Sequence, residues 1–129
     1  MPGRVLLDTT VIIALFNGDR AVVASLSEVT EVFAPSIAVG ELFYGAIKSG
    51  QAERNIRQIR DFVRATAVLP VTASTAETYG RVKDRLRQQG RPIPENDIWI
   101  AAVALEQDLD LATRDTHFGA VAGLRLQTW

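Results

Sequence analysis

Short apolar runs alternate with helix-length segments along this whole chain, and four of those runs carry a carboxylate at or inside their edge. Residues 4–7 are a β-branched and leucine run, residues 10–16 continue as an apolar helix stopped by Asn17-Gly18, and residues 21–29 read as a second short helix. A strand over 31–34 closes at Pro35-Ser36, and Ser36 is expected to cap a helix over 37–48 that stops at Ser49-Gly50. Residues 51–64 put Ile56, Ile59, Phe62 and Val63 on one face and Arg54, Arg57, Arg60 and Arg64 around the rest, the pattern of an amphipathic helix. A strand over 67–71 contains Pro70, which sends it to a sheet edge or to a strand end. A polar helix over 74–89 stops at Gly90, Pro94 opens a helix over 95–107, and residues 109–112 and 124–127 supply two last strands. Strands alternating with helices predict an α/β fold with a mostly parallel central sheet covered by helices on both faces.

Composition narrows the class. At 129 residues and 47% hydrophobic, the chain is expected to form a single domain over 1–129, and it contains no repeat or linker. The absence of cysteine excludes a disulfide framework, a thiolate metal site and a thiol nucleophile. No apolar run approaches the roughly 20 residues of a membrane span. Asp8 interrupts the apolar stretch near the start, and no small-residue cleavage site follows, so a soluble cytoplasmic protein is expected.

The chemistry is sought in the four acids, because an unpaired carboxylate beside apolar residues is costly unless a cation or metal compensates it. Asp8 ends Val5-Leu6-Leu7, Glu41 sits within Ile37 to Tyr44, Asp97 precedes Ile98-Trp99-Ile100, and Asp115 follows Leu111-Ala112-Thr113. Asp8 and Asp115 fall just past strand carboxyl ends, where α/β sheets form their functional crevice. Asp97 falls in a helix's first turn and Glu41 in the first half of another, so the four can converge. Carboxylates that share a site repel one another, and hard oxygen ligands select Mg²⁺ or Mn²⁺, which act on phosphates. Phosphodiester hydrolysis is the matching reaction. Each acid also has an ordinary use: Asp8 as a helix cap, Asp97 against a helix dipole, Asp115 in a turn. Glu41 is harder to explain that way, because Ile37, Ala38, Tyr44 and Gly45 on its face are uncharged. The hydroxyls of Thr9, Thr10 and Thr113 are candidates to orient carboxylates, with short-range capping as their alternative. The lone histidine, His117, is set aside as non-catalytic, since metal hydrolases of this kind need no imidazole. Formal net charge is −1; neutralising four of the 15 acidic groups leaves 11 against 14 basic ones, a surplus that suits a polyanionic substrate.

Four segments in order carry a family resemblance: Asp8-Thr9-Thr10 after an apolar strand; Val39-Gly40-Glu41-Leu42; Pro92-Ile93-Pro94-Glu95-Asn96-Asp97-Ile98-Trp99; and Leu111-Ala112-Thr113-Arg114-Asp115-Thr116-His117-Phe118 followed by Gly123-Leu124. Together they resemble the PIN-domain ribonucleases and, within them, the VapC toxins of toxin–antitoxin modules. The resemblance covers essentially the whole chain. It implies a three-layer PIN-like fold and a Mg²⁺- or Mn²⁺-dependent endoribonuclease, usually a homodimer, inhibited by a VapB-type antitoxin whose tail enters the acidic site. Asp8, Glu41 and Asp97 match the three most regular acidic positions, and Asp115 a fourth that varies more. Thr10 stands where Ser or Asn is common.

Other classes fit less well. A phosphoacceptor receiver domain needs an acid pair at its first strand and a late lysine, but no acid adjoins Asp8 and no lysine follows Lys83. A phosphatase with an aspartyl nucleophile usually has a second Asp where this chain has Thr10. A PIN fold serving only to bind nucleic acid would normally have lost some of the acids, and a DNA-directed nuclease would share the same site chemistry. Leu15, Phe16, Leu26, Phe43 and Tyr44 are too many for a small core, so some are expected to line an apolar groove for a partner helix.

Overall fold

The computed structural model describes residues 3–129, so Met1 and Pro2 of the expected single unit lie outside the described residues. The chain runs β1 (Arg4–Leu7), α1 (Thr9–Phe16), α2 (Arg20–Leu26), β2 (Glu31–Pro35), α3 (Ser36–Ile47), α4 (Ala52–Ala65), β3 (Ala67–Leu69), α5 (Ala73–Gln88), α6 (Glu95–Glu106), β4 (Asp110–Thr113) and β5 (Leu126–Thr128), with a 3₁₀ turn over Thr116–Ala120. Among the described residues the five strands form one sheet in the order β3-β2-β1-β4-β5, and every pairing is parallel.

Successive strand residues point to opposite faces, yet Val5, Leu6 and Leu7 are all fully buried, and every residue of β4 is buried as well. Both faces of the sheet centre are therefore covered, which is the expected three-layer arrangement. The sheet grows in opposite directions from β1, toward β2 on one side and β4 on the other. Such a reversal opens a crevice at the carboxyl ends of the two central strands. Asp8 is the residue after β1, and its amide still bonds to Ala112 O at 3.1 Å. Asp115 lies two residues past β4.

Several boundaries differ from those expected. The second helix stops at Leu26, not at residue 29: the Ser27 hydroxyl bonds back to Ala24 O at 2.6 Å, and Thr30 N and Glu31 N both bond to Gly3 O, which draws the chain into β2. Ser36 does not cap α3. Extended Pro35 holds the cap position without a side-chain bond, so β2 passes into the helix with no loop. Leu109 closes the end of α6 through its amide bond to Ala104 O at 2.9 Å, so β4 begins one residue later than expected. Likewise the Leu124 amide bonds to Val121 O in a turn, and β5 starts at Leu126. β3 is an edge strand that ends at Leu69, before Pro70. The Asn17-Gly18 stop holds, with Gly18 at φ +73° just past the cap of α1.

Of the five apolar residues counted as too many for the core, Leu15, Leu26 and Phe43 pack against it. Phe16 packs edge-on to Phe62, with ring centroids 5.6 Å apart, and also lines a cleft. Tyr44 is 66% exposed.

Candidate active site

Asp8 is 1% exposed and held by three donors. Its Oδ1 accepts from the Thr10 hydroxyl at 2.6 Å and from Val11 N at 3.0 Å, and its Oδ2 accepts from the Thr113 hydroxyl at 2.5 Å. The bond to Val11 N makes Asp8 the N-cap of α1, so the ordinary use of this residue is real and coexists with its place at the crevice. Thr113 also accepts from the Asp115 amide at 2.9 Å, which makes one hydroxyl the link between two of the acids. Thr9, beside Asp8, donates to Glu41 Oε1 at 2.8 Å and ties α1 to α3. All three threonines singled out from sequence contact the acid network.

The third segment arrives from α6. Asp97 lies in that helix's first turn, and ligand atoms of Asp97, Asp115 and His117 all fall within 4.8 Å of one another. Asp8 and Glu41 are outside this tightest group. Glu41 nevertheless acts on Asp97. Burial pushes the Asp97 carboxyl above its ordinary value, the His117 hydrogen bond and charge oppose that, and the negative charges of Glu41 and Asp115 add to the rise. Glu41, Asp97 and Asp115 thus share one electrostatic site, and Asp8 is tied to Asp115 through the Thr113 hydroxyl. Arg114, between Thr113 and Asp115 in sequence, does not neutralise it, because its guanidinium is engaged by Asp19 at 2.9 Å and by the Trp129 carbonyl at 2.6 Å.

His117 is the residue that sequence reasoning left out of the site. Its Nε2 lies 2.7 Å from Asp97 Oδ2, across 20 positions of sequence. The only signal in the sequence was its place two residues after Asp115.

Two clefts meet at Glu41. One, of about 250 Å³, runs between α1, α3 and α4 and is lined by Ile13, Phe16, Leu42 and Ile59. The other, of about 400 Å³, includes Ser36, Tyr44 and Asn96.

A five-stranded parallel sheet flanked by helices, with acids at its central crevice, is the fold of the PIN domains. Residues 5–124 match the PIN domain family model, and the chain belongs to that family, within its VapC ribonuclease branch. It is 42% identical over 95 residues to Ribonuclease VapC2 of Haemophilus influenzae, a match that covers 73% of this chain and 72% of the relative. It is 39% identical over 95 residues to the tRNA(fMet)-specific endonuclease VapC of Shigella flexneri, with the same coverage. Among solved structures, VapBC2 of Rickettsia felis bound to a promoter DNA fragment superposes with a TM-score of 0.91 at 25% identity, covering 98% of both chains.

Proposed function

We propose that this chain is a Mg²⁺- or Mn²⁺-dependent endoribonuclease toxin, with Asp8, Glu41, Asp97 and Asp115 as the residues that hold the metal. The observation that carries this reading is the Asp97 carboxyl pushed up by burial and by the charges of Glu41 and Asp115, with Asp8 and the Asp115 amide bonded to the same Thr113 hydroxyl. The donor set suits a hard cation, because every acid offers oxygen and no cysteine is available. A divalent cation held there supplies positive charge for the phosphoryl oxygens and lowers the pKa of an attacking water. The chain's own residues do the positioning. Thr10 and Thr113 fix Asp8, Thr9 fixes Glu41, and Arg114 is engaged elsewhere by Asp19 and the Trp129 carbonyl. No protein imidazole is needed as a base.

We further infer a VapB-type antitoxin partner, homodimerisation and a cytoplasmic location. The apolar cleft between α1, α3 and α4 leads to Glu41, so a partner helix seated on Ile13 and Phe16 would bring a basic side chain to the acids. Support comes from the structural neighbours, which include VapBC complexes of Rickettsia felis and of nontypeable Haemophilus influenzae. Among the described residues, no single helix is long and apolar enough to cross a membrane.

Incubation of purified protein with mixed cellular RNA tests the reading. Wild type should cleave with Mg²⁺ and stop with a chelator, and Asp97→Asn should lose orders of magnitude in rate. Cleavage of DNA but not RNA would favour a DNA-directed nuclease, and binding without cleavage would favour a binding module.

A further inference from the structure

Asp8 is held by two threonine hydroxyls and a backbone amide, and Glu41 by a third threonine hydroxyl. Asp97 is held differently. Among the described residues, the one side chain that hydrogen-bonds its carboxylate is His117, through Nε2 to Oδ2 at 2.7 Å. The imidazole is itself fixed, because it sits on the 3₁₀ turn Thr116–Ala120 with its ring 4.8 Å from that of fully buried Phe118. Nε2 is thus turned to Asp97 Oδ2 and occupied by that bond, away from a cation.

We propose that His117 is a positioning residue for the divalent cation: it grips Oδ2 of Asp97 and leaves Oδ1 as the oxygen with no protein donor among the described residues. The inference rests on the reading of the four acids as a metal site. Residues that hydrogen-bond a metal ligand typically contribute about 10- to 100-fold in metal affinity. His117 therefore acts on how tightly the cation is held, without touching the reacting atoms, which keeps it apart from a general base.

The test uses untagged protein, in which His117 is the sole histidine. Mn²⁺ binding is followed by the electron paramagnetic resonance signal of the free ion. His117→Ala should bind Mn²⁺ about 10- to 100-fold more weakly than wild type. His117→Gln, whose side-chain amide can donate, should recover much of that loss. In RNA cleavage the Ala variant should need more metal for half-maximal rate and approach wild-type rate at saturation. Wild-type protein labelled with ¹⁵N-histidine, loaded with Mn²⁺ and read by pulsed resonance, should lack the strong nitrogen coupling of a directly bound imidazole. That spectrum needs no variant, so it decides even if His117→Ala does not fold. Unchanged Mn²⁺ affinity in both variants, or strong coupling in the labelled protein, would overturn the positioning role. Wild type that takes up no Mn²⁺ would remove the metal-site reading as well, so the two failures are distinguishable.

Discussion

At the scale of single residues, Asp97 is where the cost of the site concentrates. Its carboxyl is pushed up by burial and by the charges of Glu41 and Asp115, so the folded chain without metal ionises it at a penalty. A raised folded-state value means that this penalty is fully present at neutral pH, shrinks as pH falls through the raised value, and is gone below the ordinary aspartate value of about 4. Without metal, Asp97→Asn should therefore melt at the same temperature as wild type or higher at pH 7, with the gain shrinking in acid. At saturating Mg²⁺ the order should reverse, since a ligand at 100 times its Kd adds about 2.7 kcal/mol to the protein that binds it. Thermal melts across pH, with and without Mg²⁺, check both signs. The acids were legible because each interrupts an apolar run. His117 was not, because a lone histidine has no period or spacing that ties it to a carboxylate 20 residues away.

At the scale of elements, two ties far from the crevice hold the helices and strands that present it. The start of α5 is locked by a capping box between Thr72 and Thr75, and the fully buried Thr75 hydroxyl also donates to Glu106 on α6 at 2.5 Å. Thr75→Val should cost about 1–2 kcal/mol, measured by urea unfolding, through loss of cap and cross-helix bond together. The second tie joins β4 to β5: Arg125 pairs with Asp110 at 2.7 Å and with Asp108 at 2.9 Å. Burial raises the Asp110 carboxyl, but hydrogen bonds from Gln127 and Arg125 together with the Arg125 charge outweigh it, and the net shift is downward. A lowered folded-state value gives stability that is present above the ordinary aspartate range and lost as pH falls through the depressed one. Arg125→Ala should then lower the melting temperature by a few degrees at pH 7 and by much less near pH 3. Element order was readable from the apolar runs, whereas ends were set by contacts no local pattern contains. The Leu109 amide is taken by the end of α6, and the amides of Thr30 and Glu31 by Gly3. Ser36 has the residue type of a cap, but the strand enters the helix directly and extended Pro35 takes the cap position.

At the scale of the whole molecule, the proposed activity predicts a phenotype. Expression of this chain alone should arrest growth, Asp97→Asn should not, and recovery from the native host should bring down a small companion protein. Harmless wild-type protein recovered without a companion would remove the toxin role even if the nuclease chemistry survived. One bond has a consequence for how such a protein comes into being. Asp8 is placed in the first tenth of the chain, yet the Thr113 hydroxyl that grips it lies 105 residues later, on a strand that pairs directly with β1. Chains are made from the N-terminus and long-range parallel pairing forms slowly. During synthesis the early segments therefore emerge without their last two acids or the hydroxyl that aligns the first. On the proposed function, a nascent chain should be harmless until nearly all of it has been translated and fragments ending before β4 should be inert, which would give a producing cell an interval in which an inhibitor could already be waiting.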